Sequence, residues 1–242
     1  MPKIEFDQAY WSTKIVEPNW YIELAKFIRR AQKKMGRDSE EFNQLIKDTR
    51  HFFEKALLEN KVTLAKTGPD LDAQREPIDT IVIHHTSHTP GYRLSYMEAT
   101  QLLNIYAPYY LNPTVIEERK LKKGPIWSGH FRDGQQTFLC YHWLMRMDGT
   151  FERLLEDKQL GWHAGNWEIN KRSIAICLDN DYENQDPTDE ILRKLATFIS
   201  KNYPEIKPEK IIGHCEAREG SICPGTNFVS IWKLKLVDLV RT

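Results

Sequence analysis

Residues 79–85 read Asp-Thr-Ile-Val-Ile-His-His, a β-branched apolar run that ends in two histidines. A continuous apolar run of this length is typical of a strand whose two faces are both buried in a sheet. Residues 173–178, Ser-Ile-Ala-Ile-Cys-Leu, predict a second strand of the same kind. Because functional sites usually form where strands end, His84 and His85 are the first candidate site residues.

The remaining pattern from residue 79 onward alternates between strands and helices. Further strands are predicted at 137–147, at 150–154 after an Asp148-Gly149 hairpin turn, and at 210–213. Helices are predicted at 94–106, 188–203 and 228–240. This alternation favours an α/β fold in which helices cover a central sheet.

The first 78 residues predict a helical extension. Apolar residues at helical spacing predict one helix over about 19–35, and Asp38-Ser39-Glu40-Glu41 predicts the capped start of a second that reaches about residue 60. Residues 65–78 contain two prolines and a glycine and are typical of a linker. We therefore divide the chain into 1–78, a helical hairpin with its linker, and 79–242, the main domain. The hairpin contains no group of catalytic or metal-ligating residue types, so we expect it to pack on the main domain, on a protein partner or on a second copy.

Composition narrows the class of function. The 242 residues include 34 Lys+Arg and 34 Asp+Glu, and a net charge of zero argues against nucleic acid or an anionic membrane as partner. No apolar run approaches the ~18 residues of a membrane span, and no secretory signal is visible at the start. We therefore expect either cytoplasmic action or release by lysis or another non-classical route. Four cysteines are too few for a disulfide scaffold and fit a reducing compartment.

Three polar features follow predicted strands. They are His84-His85, the Trp-His-Ala-Gly stretch at 162–165, and His214 with Cys223 nine residues later. Two imidazoles and one thiolate make a three-ligand zinc site that leaves the fourth tetrahedral position open, as catalytic zinc requires. The pattern therefore predicts a catalytic zinc ion, although any single histidine is more often a structural residue.

Five segments together resemble a known family. They are IVIHHT (81–86), YHWLMRMDGT (141–150), GWHAG (161–165), SIAICL (173–178) and IIGHCEAREGSICPG (211–225). In this order they resemble the zinc-dependent N-acetylmuramoyl-L-alanine amidases of the type-2 class, which includes phage endolysin amidases and animal peptidoglycan recognition proteins. The resemblance covers roughly 79–240. It implies a central mixed sheet flanked by helices, and peptidoglycan or a muropeptide as substrate.

The resemblance also implies roles for individual residues. His84, His214 and Cys223 would hold Zn²⁺, with the cysteine typical of the phage and recognition-protein branch. Tyr141 would lie near the metal-bound water, and His163 would contact substrate or the developing oxyanion.

Further residues of the same motifs are assigned to the surroundings of the metal. Neighbouring strand side chains face opposite ways, so His85 points off the metal; we assign it to substrate binding with Trp162 and Arg218. Relatives carry lysine or threonine where this chain has Ser221, which we expect to act as a weaker catalytic donor. The recycling relatives have a glutamate at the position of Cys177, so this chain matches the tyrosine variant.

The leading prediction is hydrolysis of the amide bond between N-acetylmuramic acid and L-alanine. One alternative is a peptidoglycan-binding module with little or no turnover, and retention of all three ligands argues against it. The other is a regulatory protein whose helical hairpin binds a partner.

Overall fold

The computed structural model describes residues 4–241, which form two compact units. One unit combines residues 4–70 with 93–138, and the other combines 71–92 with 139–241. The helices are α1 (Gln8–Lys14), α2 (Trp20–Met35), α3 (Glu40–Leu58), α4 (Leu94–Gln101), α5 (Ala107–Tyr110), α6 (Pro113–Glu118), α7 (Trp167–Arg172), α8 (Asp189–Asn202), α9 (His214–Ala217) and α10 (Lys233–Arg241). The strands are β1 (Thr80–His85), β2 (Phe131–Arg132), β3 (Gln135–Gln136), β4 (Trp143–Met145), β5 (Phe151–Arg153), β6 (Ser173–Leu178) and β7 (Ile211–Gly213).

The first unit is mainly helical. The predicted start of α3 is confirmed, because the Ser39 hydroxyl accepts a hydrogen bond from the Phe42 N–H at 3.1 Å. Farther along α3, the buried Glu54 carboxylate accepts two hydrogen bonds from the Arg93 guanidinium and one from the Ser95 hydroxyl. The compact units differ from the predicted ranges 1–78 and 79–242 because contacts such as these join segments far apart in the chain.

The second unit contains the five-stranded sheet, in the order β5-β4-β6-β1-β7. β1 runs parallel to both β6 and β7, β4 runs parallel to β6, and β5 pairs antiparallel with β4. The sheet is therefore mixed, as expected. The predicted strand over 137–147 is shorter in the structure, where only β4 joins the sheet.

The two faces of the sheet have different surroundings within this unit. Ile81 and Ile83 pack into an apolar core with residues of α8, α10 and the π-helical turn Phe228–Trp232. Val82 faces the other way and packs with Ala164 and Ala217. Because side chains alternate along a strand, His84 shares the face of Val82 and His85 shares the face of Ile83. None of the helices in residues 4–241 is long and apolar enough to cross a membrane.

Candidate metal-dependent active site

Three potential metal ligands meet where parallel strands end. His84 is near the carboxyl end of β1, His214 follows directly after β7, and Cys223 lies in the loop after α9. One nitrogen of each imidazole and the Cys223 sulfur lie within 4.8 Å of one another, and His84 Nδ1 is 3.8 Å from Cys223 Sγ. His84 is buried, whereas His214 and Cys223 are half-buried.

The loop from His214 to Cys223 is closed by its own backbone. The Arg218 N–H donates to the His214 carbonyl at 2.9 Å, and the Cys215 N–H donates to the Cys223 carbonyl at 2.7 Å. The Ser221 hydroxyl accepts from the Cys223 N–H at 3.3 Å. Ser221 therefore helps to position Cys223, a contact that the predicted donor role did not include.

The donor set fits a zinc ion. Tetrahedral zinc with ordinary Zn–N and Zn–S bonds separates a nitrogen and a sulfur ligand by about 3.5 Å, close to the 3.8 Å found here. Within residues 4–241, the buried Nε2 of His214 has no hydrogen-bond partner, although the ring bonds to the backbone of Ala164. A buried nitrogen with a free lone pair is expected where a metal binds, because an unsatisfied buried polar atom is otherwise costly.

The electrostatics keep the imidazoles of this cluster neutral. Burial lowers the pKa of His84 well below its ordinary value, and lowers that of His214 to about 4. Burial also raises the pKa of Cys223 to about 12. A hydrogen bond from the backbone of His85 favours the thiolate and partly opposes this effect. A bound zinc ion would favour the thiolate much more strongly, so Cys223 would bind it as the thiolate, without its proton.

Tyr141 lies beside the ligand cluster. Its ring centroid is 4.9 Å from that of His84, and its hydroxyl hydrogen-bonds to Cys177 on β6. Burial raises the pKa of Tyr141 well above its ordinary value, so the phenol keeps its proton at neutral pH. Tyr141 is therefore a poor base, and it can donate to a substrate oxygen once its proton turns away from Cys177. Burial raises the pKa of the Cys177 thiol as well, which removes it as a base.

His163 is buried and contacts His84 directly. Its Nδ1 lies 3.0 Å from His84 Nε2, and its Nε2 lies 3.1 Å from the Ser173 hydroxyl. Both ring nitrogens thus have partners within the protein. The structure places His163 against the Nε2 side of the His84 ring.

Two of the predicted substrate contacts need correction. The His85 ring accepts from the Tyr182 N–H through Nδ1 at 2.9 Å and pairs with the Ser87 hydroxyl through Nε2 at 3.0 Å, so its polar atoms are committed. Trp162 is only 1% exposed and cannot present a face to a glycan. Arg218 is exposed near His214, and its side chain packs over Gly165, so its predicted role stays a prediction.

Arg75 makes a set of long-range hydrogen bonds that the sequence did not reveal. Its guanidinium donates to the backbone carbonyls of Asp157, Asn170 and Ser173 at 2.9, 2.7 and 2.8 Å. It lies in the segment predicted to be a linker, and the three carbonyls are more than 80 residues away, so no local pattern marks it.

Comparison with known proteins identifies the family of this chain. Residues 74–226 match the model of the N-acetylmuramoyl-L-alanine amidase family (Amidase_2), and the chain belongs to this family. It is 27% identical over 116 residues to the 1,6-anhydro-N-acetylmuramyl-L-alanine amidase AmpD of Haemophilus influenzae. That match covers 44% of this chain and 63% of the relative, so it spans less than two thirds of that protein.

Solved structures give similar matches. A selenomethionine AmpD structure is 20% identical, with 72% of this chain and 92% of that chain covered and a TM-score of 0.44. The endolysin amidase LysCS from Clostridium intestinale is 19% identical, with 67% and 82% covered and a TM-score of 0.40.

Proposed function

We propose that this protein is a zinc-dependent amidase that hydrolyses the bond between N-acetylmuramic acid and L-alanine in peptidoglycan or its fragments. The observation that carries the proposal is the cluster of His84, His214 and Cys223 in a chain of this family. AmpD, by its name, acts on a 1,6-anhydro-N-acetylmuramyl-L-alanine compound, which makes a soluble fragment one substrate to test.

Different residues of the site have different proposed roles. His84, His214 and Cys223 would hold the ion, which when bound polarises the amide carbonyl and activates water near neutral pH. Tyr141, half-buried beside His84, would donate a hydrogen bond to the oxygen on which charge develops. Ser221 would hold the Cys223 backbone in place through the hydrogen bond that it accepts.

Two neighbouring cysteines provide a matched test of the ligand set. Cys223 belongs to the cluster, whereas Cys215 is a free half-buried thiol outside it. We expect Cys223→Ser to lose bound zinc and activity, and Cys215→Ser to keep both. Full zinc occupancy in Cys223→Ser would contradict the proposed ligand set.

Cleavage is measured as the appearance of new L-alanine amino groups, with and without a chelator. The substrates are purified sacculi, a soluble muropeptide and a soluble anhydro-muropeptide. Chelator-sensitive release from any of them supports the amidase. Tight zinc binding without release from all three would refute turnover and favour the peptidoglycan-binding alternative.

A further inference from the structure

The contacts of His163 place it behind a metal ligand. Its ring is 4% exposed, and it is held from both sides, by His84 Nε2 at 3.0 Å and by Ser173 Oγ at 3.1 Å. A side chain whose two polar atoms are both committed inside the protein has none left for a substrate. The predicted role of His163 in contacting substrate or the oxyanion therefore does not match its geometry.

The hydrogen bonds allow one arrangement of protons when a metal is bound. His84 presents Nδ1 to the cluster, 3.8 Å from the Cys223 sulfur, so its proton is on Nε2 and points to His163. His163 then accepts at Nδ1, carries its own proton on Nε2 and donates to the Ser173 hydroxyl. The tautomer of His84 therefore fixes that of His163, and the Ser173 hydroxyl accepts from His163.

Arg75 anchors the far end of this series. Its guanidinium donates to the Ser173 carbonyl at 2.8 Å, and two further carbonyls hold it in place at 2.9 and 2.7 Å. Because Ser173 is also the first residue of β6, its backbone is held by both the sheet and the arginine. The series runs from Arg75 through Ser173 and His163 to His84.

We propose that Arg75, Ser173 and His163 form a positioning chain that orients His84 as a metal ligand, with His163 accepting the hydrogen bond from His84 Nε2. The inference rests on the proposed function only in taking zinc as the metal. A metal-bound histidine usually donates its second N–H to a carboxylate, a carbonyl or water, and here another imidazole takes that place. His163 is thus a positioning residue and does not touch the substrate.

Zinc affinity tests this directly, without relying on turnover. Competition with a chromophoric chelator gives the zinc Kd of the full-length protein and its variants. His163→Ala removes the acceptor and should weaken zinc binding about 10–100-fold, as is typical when such a partner is lost. His163→Asn offers an amide oxygen near the position of Nδ1 and should recover most of the affinity. Ser173→Ala should weaken binding in the same direction by a smaller factor.

Controls separate positioning from folding and from catalysis. Circular dichroism and thermal unfolding of the metal-free variants show whether each is folded, and Ser173→Ala carries the test if His163→Ala is not. His51→Ala, a histidine of the helical unit, should leave the zinc Kd unchanged. At saturating zinc, His163→Asn should keep the parent KM if the protein turns over.

Either of two results would overturn the proposal. One is His163→Ala binding zinc as tightly as the parent. The other is a raised KM in the His163 variants with an unchanged zinc Kd, which would restore His163 as a substrate contact. A protein that binds zinc but cleaves nothing would fail the proposed function and still allow this test.

Discussion

Arg146 joins two carboxylates that are equally close and differently exposed. Its guanidinium contacts Asp179 at 2.6 Å and Glu152 at 2.7 Å, while the side chain of Asp179 is 1% exposed and that of Glu152 is 39% exposed. Asp179 also accepts from the N–H groups of Gly91 and Tyr92, in the segment that follows β1. The two carboxylates therefore let burial be tested with a single shared cation.

We predict very different costs for removing them. Breaking a buried ion pair leaves an uncompensated charge, and here two backbone donors as well, which together cost about 3–5 kcal/mol. An exposed pair contributes about 0–1 kcal/mol. At about 2–4 °C per kcal/mol for a chain of this length, Asp179→Ala should lower Tm by about 6–20 °C and Glu152→Gln by at most about 4 °C.

The assay combines thermal unfolding with amide exchange. Asp179→Ala should also lose exchange protection at Gly91 and Tyr92, whose N–H groups then lack an acceptor, and Glu152→Gln should not. The pKa of Arg146 is raised most by its hydrogen bond to Glu152 and next by its hydrogen bond to Asp179, so the individual hydrogen bonds alone would rank Glu152 first. Equal losses of stability, or a larger loss for Glu152→Gln, would refute the argument that burial decides the ranking.

Three further predictions concern other parts of the chain. Tyr141→Phe removes the proposed donor and should lower kcat about 10²–10³-fold while the zinc content stays unchanged. Release kinetics and metal analysis measure the two quantities, and a loss of zinc would instead indicate a structural role for Tyr141. Burial raises the pKa of Glu98 above its ordinary value, so the folded protein holds a proton that the unfolded chain releases. The free energy of unfolding therefore falls as the pH rises from the ordinary pKa of a glutamate to the raised pKa of Glu98. Glu98→Gln should therefore be more stable than the parent at pH 7, and urea unfolding should show this advantage vanish below about pH 4, where the carboxyl is protonated in both states. Gly161→Ala places a Cβ 2.2 Å from the Cys140 carbonyl oxygen and should cost about 1–3 kcal/mol, whereas a Tm equal to the parent's would show that the backbone yields without cost.

Local patterns predicted the elements that carry the site. The apolar run before His84 and the run over 173–178 became β1 and β6, because each pattern is contained in a few neighbouring residues. The proposed ligands were also visible, since His214 follows a predicted strand and Cys223 lies nine residues away. The strand predicted at 137–147 was too long, because apolar residues before β4 are buried without joining the ladder.

Long-range contacts set the limit of the sequence analysis. Arg75 belongs to a segment whose composition is typical of a linker, yet it bonds to carbonyls 82 to 98 positions away. Glu54 contacts Arg93 and Ser95 across about 40 residues, which groups 93–138 with the helical unit. The sequence also did not show which side chains are exposed. Trp162 has the chemistry of a stacking residue, and only its surroundings in the fold show that it is buried.

The chemistry of the ligand cluster explains why orientation matters at this site. His84 and His214 are neutral, so Cys223 is the one group of the cluster that contributes negative charge when a metal binds. A dication held by this set keeps a net positive charge, which preserves its ability to polarise a carbonyl. The same set attracts a cation less strongly than one with added carboxylates. The affinity for the metal therefore depends more on the orientation of each imidazole ring. The contacts found behind the ligands have that effect: His163 contacts the His84 ring, Ala164 binds the His214 ring, and Ser221 holds the backbone of Cys223.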